Sequence, residues 1–452
     1  MVPTSPQVSG QDTEKNATLA LNPSSASLST DVKELAQVIP QETVAQPPGP
    51  ELPEGGYWAW STVAGAWLVQ FVNFGYVNAF GAYQDFYVRE YLNQSTPSEI
   101  GWIGGVQICF TFSMGVVTGR LFDAGYFYWL NASSLILYAI SIFMLSLSHP
   151  NKYYQVFLSH GIAFGLASGL SYLPSLSIVG HYFKRRRPLA VGIVSTGSAL
   201  GAILQPIMLN NLFSSKIGFH NGVRISGAFN TFLLLVGICL MRTRLPPHKG
   251  QHPFPVERYF SDPAYLISVF GSMCAFLGLF FVVFYLQLYS VLHGVNETLA
   301  FYTLAILNGA SIFGRIFPGL IAPKFGSLNL SIFFMIANGV VTAFMPLARR
   351  TVGIIIYAIF YGFISGATIA LVAPMMVSLI DDPREFGTRL GIFFFFGGIL
   401  GLVATPISGA LLTKSYHWVS ASVFAGVFCI VSGLLYLISR IIVARRKGTQ
   451  IL

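Results

Sequence analysis

The chain has 452 residues, of which 54% are hydrophobic and only 10% charged, with a mean hydropathy of +0.63. A soluble globular protein carries about 25% charged residues, so that class is excluded and lipid becomes the expected solvent. The net charge of +9 comes from basic residues scattered between apolar runs, not from one patch interleaved with aromatics, which argues against a nucleic-acid partner.

The first fifty residues are rich in Ser, Pro, Gln and Thr and hold no apolar core. They predict no signal peptide but a disordered N-terminal tail over residues 1–56, with the first span acting as its own targeting signal. Crossing roughly 30 Å of hydrocarbon takes about 20 apolar residues as a helix. Twelve stretches qualify, at 58–83, 100–121, 127–147, 154–180, 189–212, 223–241, 265–289, 301–321, 329–348, 352–378, 390–412 and 418–442. The connections are short except for a polar, basic, proline-containing linker at 242–264. The expected organisation is thus a six-helix half at 57–241, a second at 265–442, and a basic tail at 443–452. The fold class is an all-α membrane protein.

Lys and Arg set the expected orientation. With the N-terminus cytoplasmic, the inside segments hold Arg120, Lys184 to Arg187, Arg242, Arg244, Lys249, Arg258, Lys324, Arg384, Arg389, Arg440 and Arg445 to Lys447. The outside loops hold Arg89, Lys152, Lys216, Arg224, Arg349, Arg350 and Lys414. That is 16 against 7, with the tail and Arg315 set aside. Both termini are then cytoplasmic. The sequons at Asn93 and Asn296 fall in outside loops, as glycosylation requires.

The halves match at a fixed offset of 200 residues. Gly197, Gly201, Pro206 and Ile207 in the fifth span recur as Gly397, Gly401, Pro406 and Ile407 in the eleventh. Pro174 recurs as Pro374, and Gly119 as Gly319. An even number of spans per half keeps both copies in one membrane orientation, giving a parallel repeat about an axis along the membrane normal. That is the arrangement of major facilitator proteins, in which two bundles rock about a midplane site. Gly161, Gly165 and Gly169 form a small-residue stripe on the fourth span, and Gly197 and Gly201 another on the fifth. Both suit close helix packing within a rigid bundle.

Few polar side chains lie inside the spans. Arg315 sits well inside the eighth, where a charge is costly in lipid and must face a cavity or a partner. Asn308 and Ser311 precede it by seven and four residues, on the same helical face. Two readings stand for Arg315: an anion-binding group on a solute path, through its bidentate fork, or a latch onto backbone carbonyls of a neighbouring helix. The first span offers Gln70, Asn73 and Asn78 as hydrogen-bonding groups for a solute or another helix. No Asp or Glu lies mid-span, and His160 sits near the outer end of the fourth span, so proton coupling has no clear carrier. Asp123, four residues after Gly119 at the inner end of the second span, fits a gate or a helix cap. The run Lys184 to Arg187 reads as an orientation signal. The four cysteines (Cys109, Cys239, Cys274 and Cys429) fall in apolar runs without metal spacing, so neither a metal nor another cofactor is expected.

Two motifs resemble the monocarboxylate porter family within the major facilitator superfamily. Glu54-Gly55-Gly56-Tyr57-Trp58-Ala59-Trp60 is similar to that family's acidic-Gly-Gly-aromatic-x-Trp opening, with one extra residue. Tyr182-Phe183-Lys184-Arg185-Arg186-Arg187-Pro188-Leu189-Ala190-Val191-Gly192, followed by Gly197-Ser198 and Gly201, resembles its signature leading into the fifth span. The likeness extends over residues 51–445. It implies that Arg315 matches the eighth-span arginine that pairs with a substrate carboxylate. The aspartate four residues earlier is Ser311 here, and the first-span lysine implicated in proton coupling falls on Asn78. The resemblance therefore points to the fungal branch, whose members handle vitamins, other organic solutes or secondary metabolites, and not to lactate carriage.

The sequence thus predicts a transporter of a small organic, carboxylate-bearing solute, working by alternating access and exporting a metabolite. Import of a vitamin or organic-acid nutrient is the alternative. Partners are the solute, the lipid bilayer and, as a candidate, protons. The cell membrane is the expected location, with a vacuolar or other internal membrane as the alternative. A membrane-embedded enzyme would need clustered His, Asp or Glu, which is not seen. A transporter-like receptor would need a long cytoplasmic domain.

Overall fold

The structure, a computed structural model, describes residues 54–244, 257–380, 382, 385–412 and 417–452. The tail up to residue 53, linker residues 245–256, Lys249, Arg384 and Lys414 lie outside the described residues.

Twelve long helical segments follow the twelve apolar stretches in order. The first span is Tyr57–Asn78, continued past Ala79 by Phe80–Phe86 and a π-helical turn Tyr87–Tyr91. The second is Pro97–Ser113 running on as Gly115–Asp123, the third Phe127–Leu145 and the fourth Tyr153–His181. The fifth is Arg187–Ser214 and the sixth Gly218–Leu240. After a short helix Glu257–Phe260 come the seventh, Pro263–Leu292, the eighth, Glu297–Phe325, and the ninth, Ser327–Ala343. Thr351–Leu379, Phe386–Leu412 and Trp418–Lys447 complete the set.

Ten of these are long and apolar enough to cross a membrane by length and composition. The ninth, with 17 residues, is shorter, and the first is diluted by Gln70, Asn73 and Asn78. The helix ends follow local chemistry. Thr96 and Glu99 close a capping box at the second span, and Asn296 caps the eighth through its side chain. Gly326, at φ +85°, makes the tight turn between the eighth and ninth spans. Several boundaries differ from expectation: the sixth span starts at Gly218 in place of 223, and the ninth ends at Ala343 in place of 348. The first span runs through Tyr91, and the twelfth continues five residues past 442, because Val443 and Ala444 extend its buried face.

Exposed Trp129, Phe313, Phe333 and Phe360 give the outer surface large apolar groups, as a lipid-facing surface requires. The small-residue stripes pack as expected. Gly165 and Gly169 abut the second span at Gln107, Phe110 and Met114, while Gly197 and Gly201 abut the first at Trp67 and Phe71. In the second half Gly397 and Gly401 pack on Phe276 of the seventh span, so the fifth-on-first contact recurs as eleventh-on-seventh.

The same offset relates the contacts between halves. Gly119 of the second span lies against the backbone of Gly387 in the eleventh, while Gly319 of the eighth lies against Pro188 and Leu189 of the fifth. One turn further in, Gly115 meets Gly391, and Gly192 meets the Arg315 carbonyl. Subtracting 200 carries each pair close to its mate. A two-fold relation between copies generates this pattern. All four contacts lie toward the face that carries both described chain ends.

On that face the two resemblance motifs dock onto each other. The Glu54 carboxylate accepts backbone N–H bonds from Lys184 at 2.8 Å, Arg185 at 2.5 Å and Arg186 at 3.0 Å. The Glu54 N–H donates to the Tyr182 carbonyl at 3.1 Å. Trp60 meets Phe183 edge-on, and Arg242 lies 3.8 Å from the centre of the Trp58 ring. Partial burial raises the Glu54 pKa, but the three amide donors and the Arg186 charge outweigh it and hold the carboxyl below its ordinary range.

Candidate functional site

A cavity lies between the halves. Its walls come from the first, second, fourth and fifth spans and from their counterparts, the seventh, eighth, tenth and eleventh. Gln70, Asn78, Asn308, Ser311 and Arg315, all singled out in the sequence, line this one cavity.

Arg315 is 3% exposed. Its Nε donates to Ser311 Oγ at 3.1 Å, one helical turn back. Nη1 crosses to the fifth span and donates to the Ser195 carbonyl and to Ser198 Oγ. Nη2 donates to no group among the described residues, and no carboxylate pairs with the guanidinium there. Arg315 is thus at once a latch on a neighbouring carbonyl and a cation facing the cavity. A buried cation without a protein counter-ion is costly, and the free edge of a guanidinium fork has the geometry to hold an anion.

The amide residues are partly committed. Gln70 Nε2 donates to the Tyr172 carbonyl at 3.2 Å and to Ser175 Oγ at 2.8 Å on the fourth span. Asn78 and Asn308 each donate to the carbonyl four residues earlier, Phe74 and Leu304. Asn73 does not line the cavity but donates to Ser171 Oγ at 2.6 Å. His160 is also outside it, buried with Nδ1 3.1 Å from the Tyr87 hydroxyl. Among the described residues no Asp, Glu or His lines the cavity.

Gly119 and Asp123 meet the start of the eleventh span. Asp123 accepts the backbone N–H groups of Gly387 at 3.2 Å and Thr388 at 2.8 Å, and the Thr388 hydroxyl at 2.9 Å. It caps the helix N-terminus of the other half, where a carboxylate also opposes the helix dipole. The Arg187 guanidinium lies 4.0 Å from the centre of the Phe386 ring, at the start of the same helix. Within the basic run only Lys184, Arg185 and Arg186 are exposed.

Sequence reasoning missed Ser195 and Ser198, whose spacing of three places both on one face of the fifth span. It missed the ring-lined wall, treating aromatics as ordinary apolar residues. It also counted Arg389 as a topology signal, whereas Arg389 is buried between Asp262 at 2.9 Å and Glu385 at 2.8 Å. That ion cluster fixes the start of the eleventh span, the segment Asp123 caps. Asn93 and Asn296 are exposed on the face opposite the chain ends.

A family model described as Major Facilitator Superfamily matches residues 66–404. The MFS transporter asaE of Aspergillus flavus is 35% identical over 411 residues, 89% of this chain and 91% of that protein. The aspyridones efflux protein apdF of Emericella nidulans is 36% identical over 87% of this chain and 81% of its own length. The agnestins efflux protein AgnL12 of Paecilomyces divaricatus is 33% identical over 84% and 86%. Among solved structures, the proton:xylose symporter XylE superposes with a TM-score of 0.70 at 15% identity, over 83% of this chain and 94% of that one. At that identity the likeness speaks for the fold alone. The chain belongs to the major facilitator superfamily. It is a multi-pass membrane transporter and not an enzyme.

Proposed function

We propose that this transporter carries a small organic anion outward, seating the anionic group on Arg315 while the two halves rock to open the central cavity to each side in turn. The observation that carries the reading is the buried Arg315 guanidinium, bonded across both halves and lacking an acidic partner among the described residues. Export is favoured by the relatives, several of which are named as efflux proteins. The two docked motifs support kinship with the monocarboxylate porters, with Ser311 and Asn78 at the positions of that family's proton-linked groups.

The six-helix halves act as the moving bodies. Asp123 and Gly119, with Gly387 and Thr388, form the gate on the face that carries the chain ends. That face is cytoplasmic by the distribution of basic residues, the opposite face carries glycans on Asn93 and Asn296, and the host membrane is the cell membrane. The bonds from Gly387 and Thr388 to Asp123 hold the gate shut.

The test is efflux of labelled organic acids from cells with and without the protein, repeated with Arg315→Ala and under an imposed pH gradient. Export that vanishes in Arg315→Ala supports the assignment. An acid exported equally by wild type and Arg315→Ala shows that the guanidinium is not the anion seat.

A further inference from the structure

We infer that the cargo is a flat aromatic or conjugated acid, gripped through its ring faces by an aromatic wall that both halves build; this rests on Arg315 holding its anionic end. Six rings line the cavity that Arg315 faces: Phe74, Phe112 and Tyr172 from the first half, Phe276, Phe280 and Phe394 from the second.

Phe112 stands at their centre. It meets Phe276 edge-on at 5.0 Å and lies near-parallel to Phe394 at 5.4 Å, both contacts crossing between halves. Within its own half it touches Tyr172 at 5.3 Å and Phe74 at 5.6 Å. Tyr172 reaches Phe394 at 5.8 Å. Offset-stacked and edge-on pairs are the favoured arrangements of ring quadrupoles, and a planar ligand can enter such a set by taking the place of one ring.

The chemistry of the wall narrows the class. A neutral sugar can lay its C–H face on a ring but leaves the buried Arg315 charge unanswered. A short aliphatic acid would satisfy Arg315 but leave the rings uncovered. A planar acid uses both features.

The wall also gives the cargo a role in the movement. When the halves rock, Phe112 must part from Phe276 and Phe394. A planar cargo between them offers each ring a new face to lie against, so it stabilises the parted arrangement relative to the empty protein. That is the differential binding any ligand-driven shift requires. Phe112 and Phe276 are then specificity-determining residues.

The experiment uses the purified full chain in lipid nanodiscs and two probes of one skeleton, naphthalenecarboxylate and its saturated counterpart decalincarboxylate. Wild type should bind the aromatic probe about tenfold more tightly, since each favourable ring pair contributes roughly twofold to tenfold. Phe112→Leu and Phe276→Leu should bring that ratio close to unity with little change for the saturated probe, and Arg315→Ala should weaken both probes alike. Should Phe112→Leu fail to fold by thermal unfolding, Phe394→Leu takes its place. Equal affinities in wild type, a ratio unmoved by the leucine variants, or no binding of either probe overturns the inference. Equal affinities that both fall in Arg315→Ala overturn the aromatic wall while leaving the anion seat standing. Both probes bound as tightly in Arg315→Ala as in wild type, with the ring selectivity intact, remove the anion seat instead.

Discussion

Arg315 in the eighth span donates through Nη1 to the hydroxyl of Ser198 in the fifth, 117 residues earlier in the chain. This bond, with its neighbour to the Ser195 carbonyl, ties the candidate solute site directly to the contact between the halves. Any motion that separates the fifth and eighth spans changes the surroundings of the guanidinium.

Arg315→Ala and Arg315→Lys should therefore differ. Alanine removes the charge and its hydrogen bonds to Ser311, Ser195 and Ser198. Transport of an anionic solute should then fall by roughly tenfold to a hundredfold, the range for a charged hydrogen bond. Lysine keeps the charge but not the planar fork, so it should retain part of the activity. Initial rates in membrane vesicles measure both, and equal losses in the two variants would show that charge is not what the site uses.

Gly119→Ala should impair closure of the gate. A Cβ there would collide with the Gly387 carbonyl of the other half, and overpacking of this kind costs about 1–3 kcal/mol. The halves should then spend more time apart on the face of the chain ends. Spin-label distances between the ends of the second and eleventh spans should lengthen. An unchanged distance distribution would count against the close approach.

Asp123→Ala removes a cap made only when the halves meet. Loss of an N-cap costs about 1 kcal/mol, equivalent to about a fivefold shift toward the open gate. Asp123→Asn keeps one acceptor oxygen and should shift the balance less. Labelling of a cysteine introduced at Leu189 reports the population. Alanine and asparagine variants labelling at the wild-type rate would rule the cap out as a gate contact.

Glu54 gives a pH dependence of definite sign. Its pKa is lowered from 4.5 in the folded chain, so the docking it stabilises is fully present above 4.5 and is lost as pH falls through the lowered value. Amide exchange at Lys184, Arg185 and Arg186, measured against the intrinsic rate at each pH, should be strongly protected at neutral pH and lose that protection in acid. Glu54→Gln should accelerate it at neutral pH. Protection that ignores both treatments would remove the carboxylate as the anchor.

Much of this was legible in the residues. Twelve apolar runs specify twelve helices because the bilayer leaves a backbone no other way to satisfy its hydrogen bonds within one segment. Arg315, Asn308 and Ser311 were readable because helical periodicity puts them on one face and a buried charge demands a reason. What stayed hidden depends on contacts between distant spans. Ser195 and Ser198 resemble any hydroxyl that bonds its own helix, and they do bond the carbonyls of Gly192 and Ser195. Nothing local marks them as partners of an arginine 117 to 120 residues later. Phe112 and Phe394 likewise look like lipid-facing rings until the halves are brought together.

The 200-residue offset that superimposes the halves carries Arg315 onto Gly115, and Gly115 is pressed against Gly391 with little room for a side chain. Among the described residues that line the cavity, the duplicated frame therefore holds one cationic pole and no second. A passenger with a charged head and an unsaturated body has a single heading inside the protein and enters and leaves without turning over.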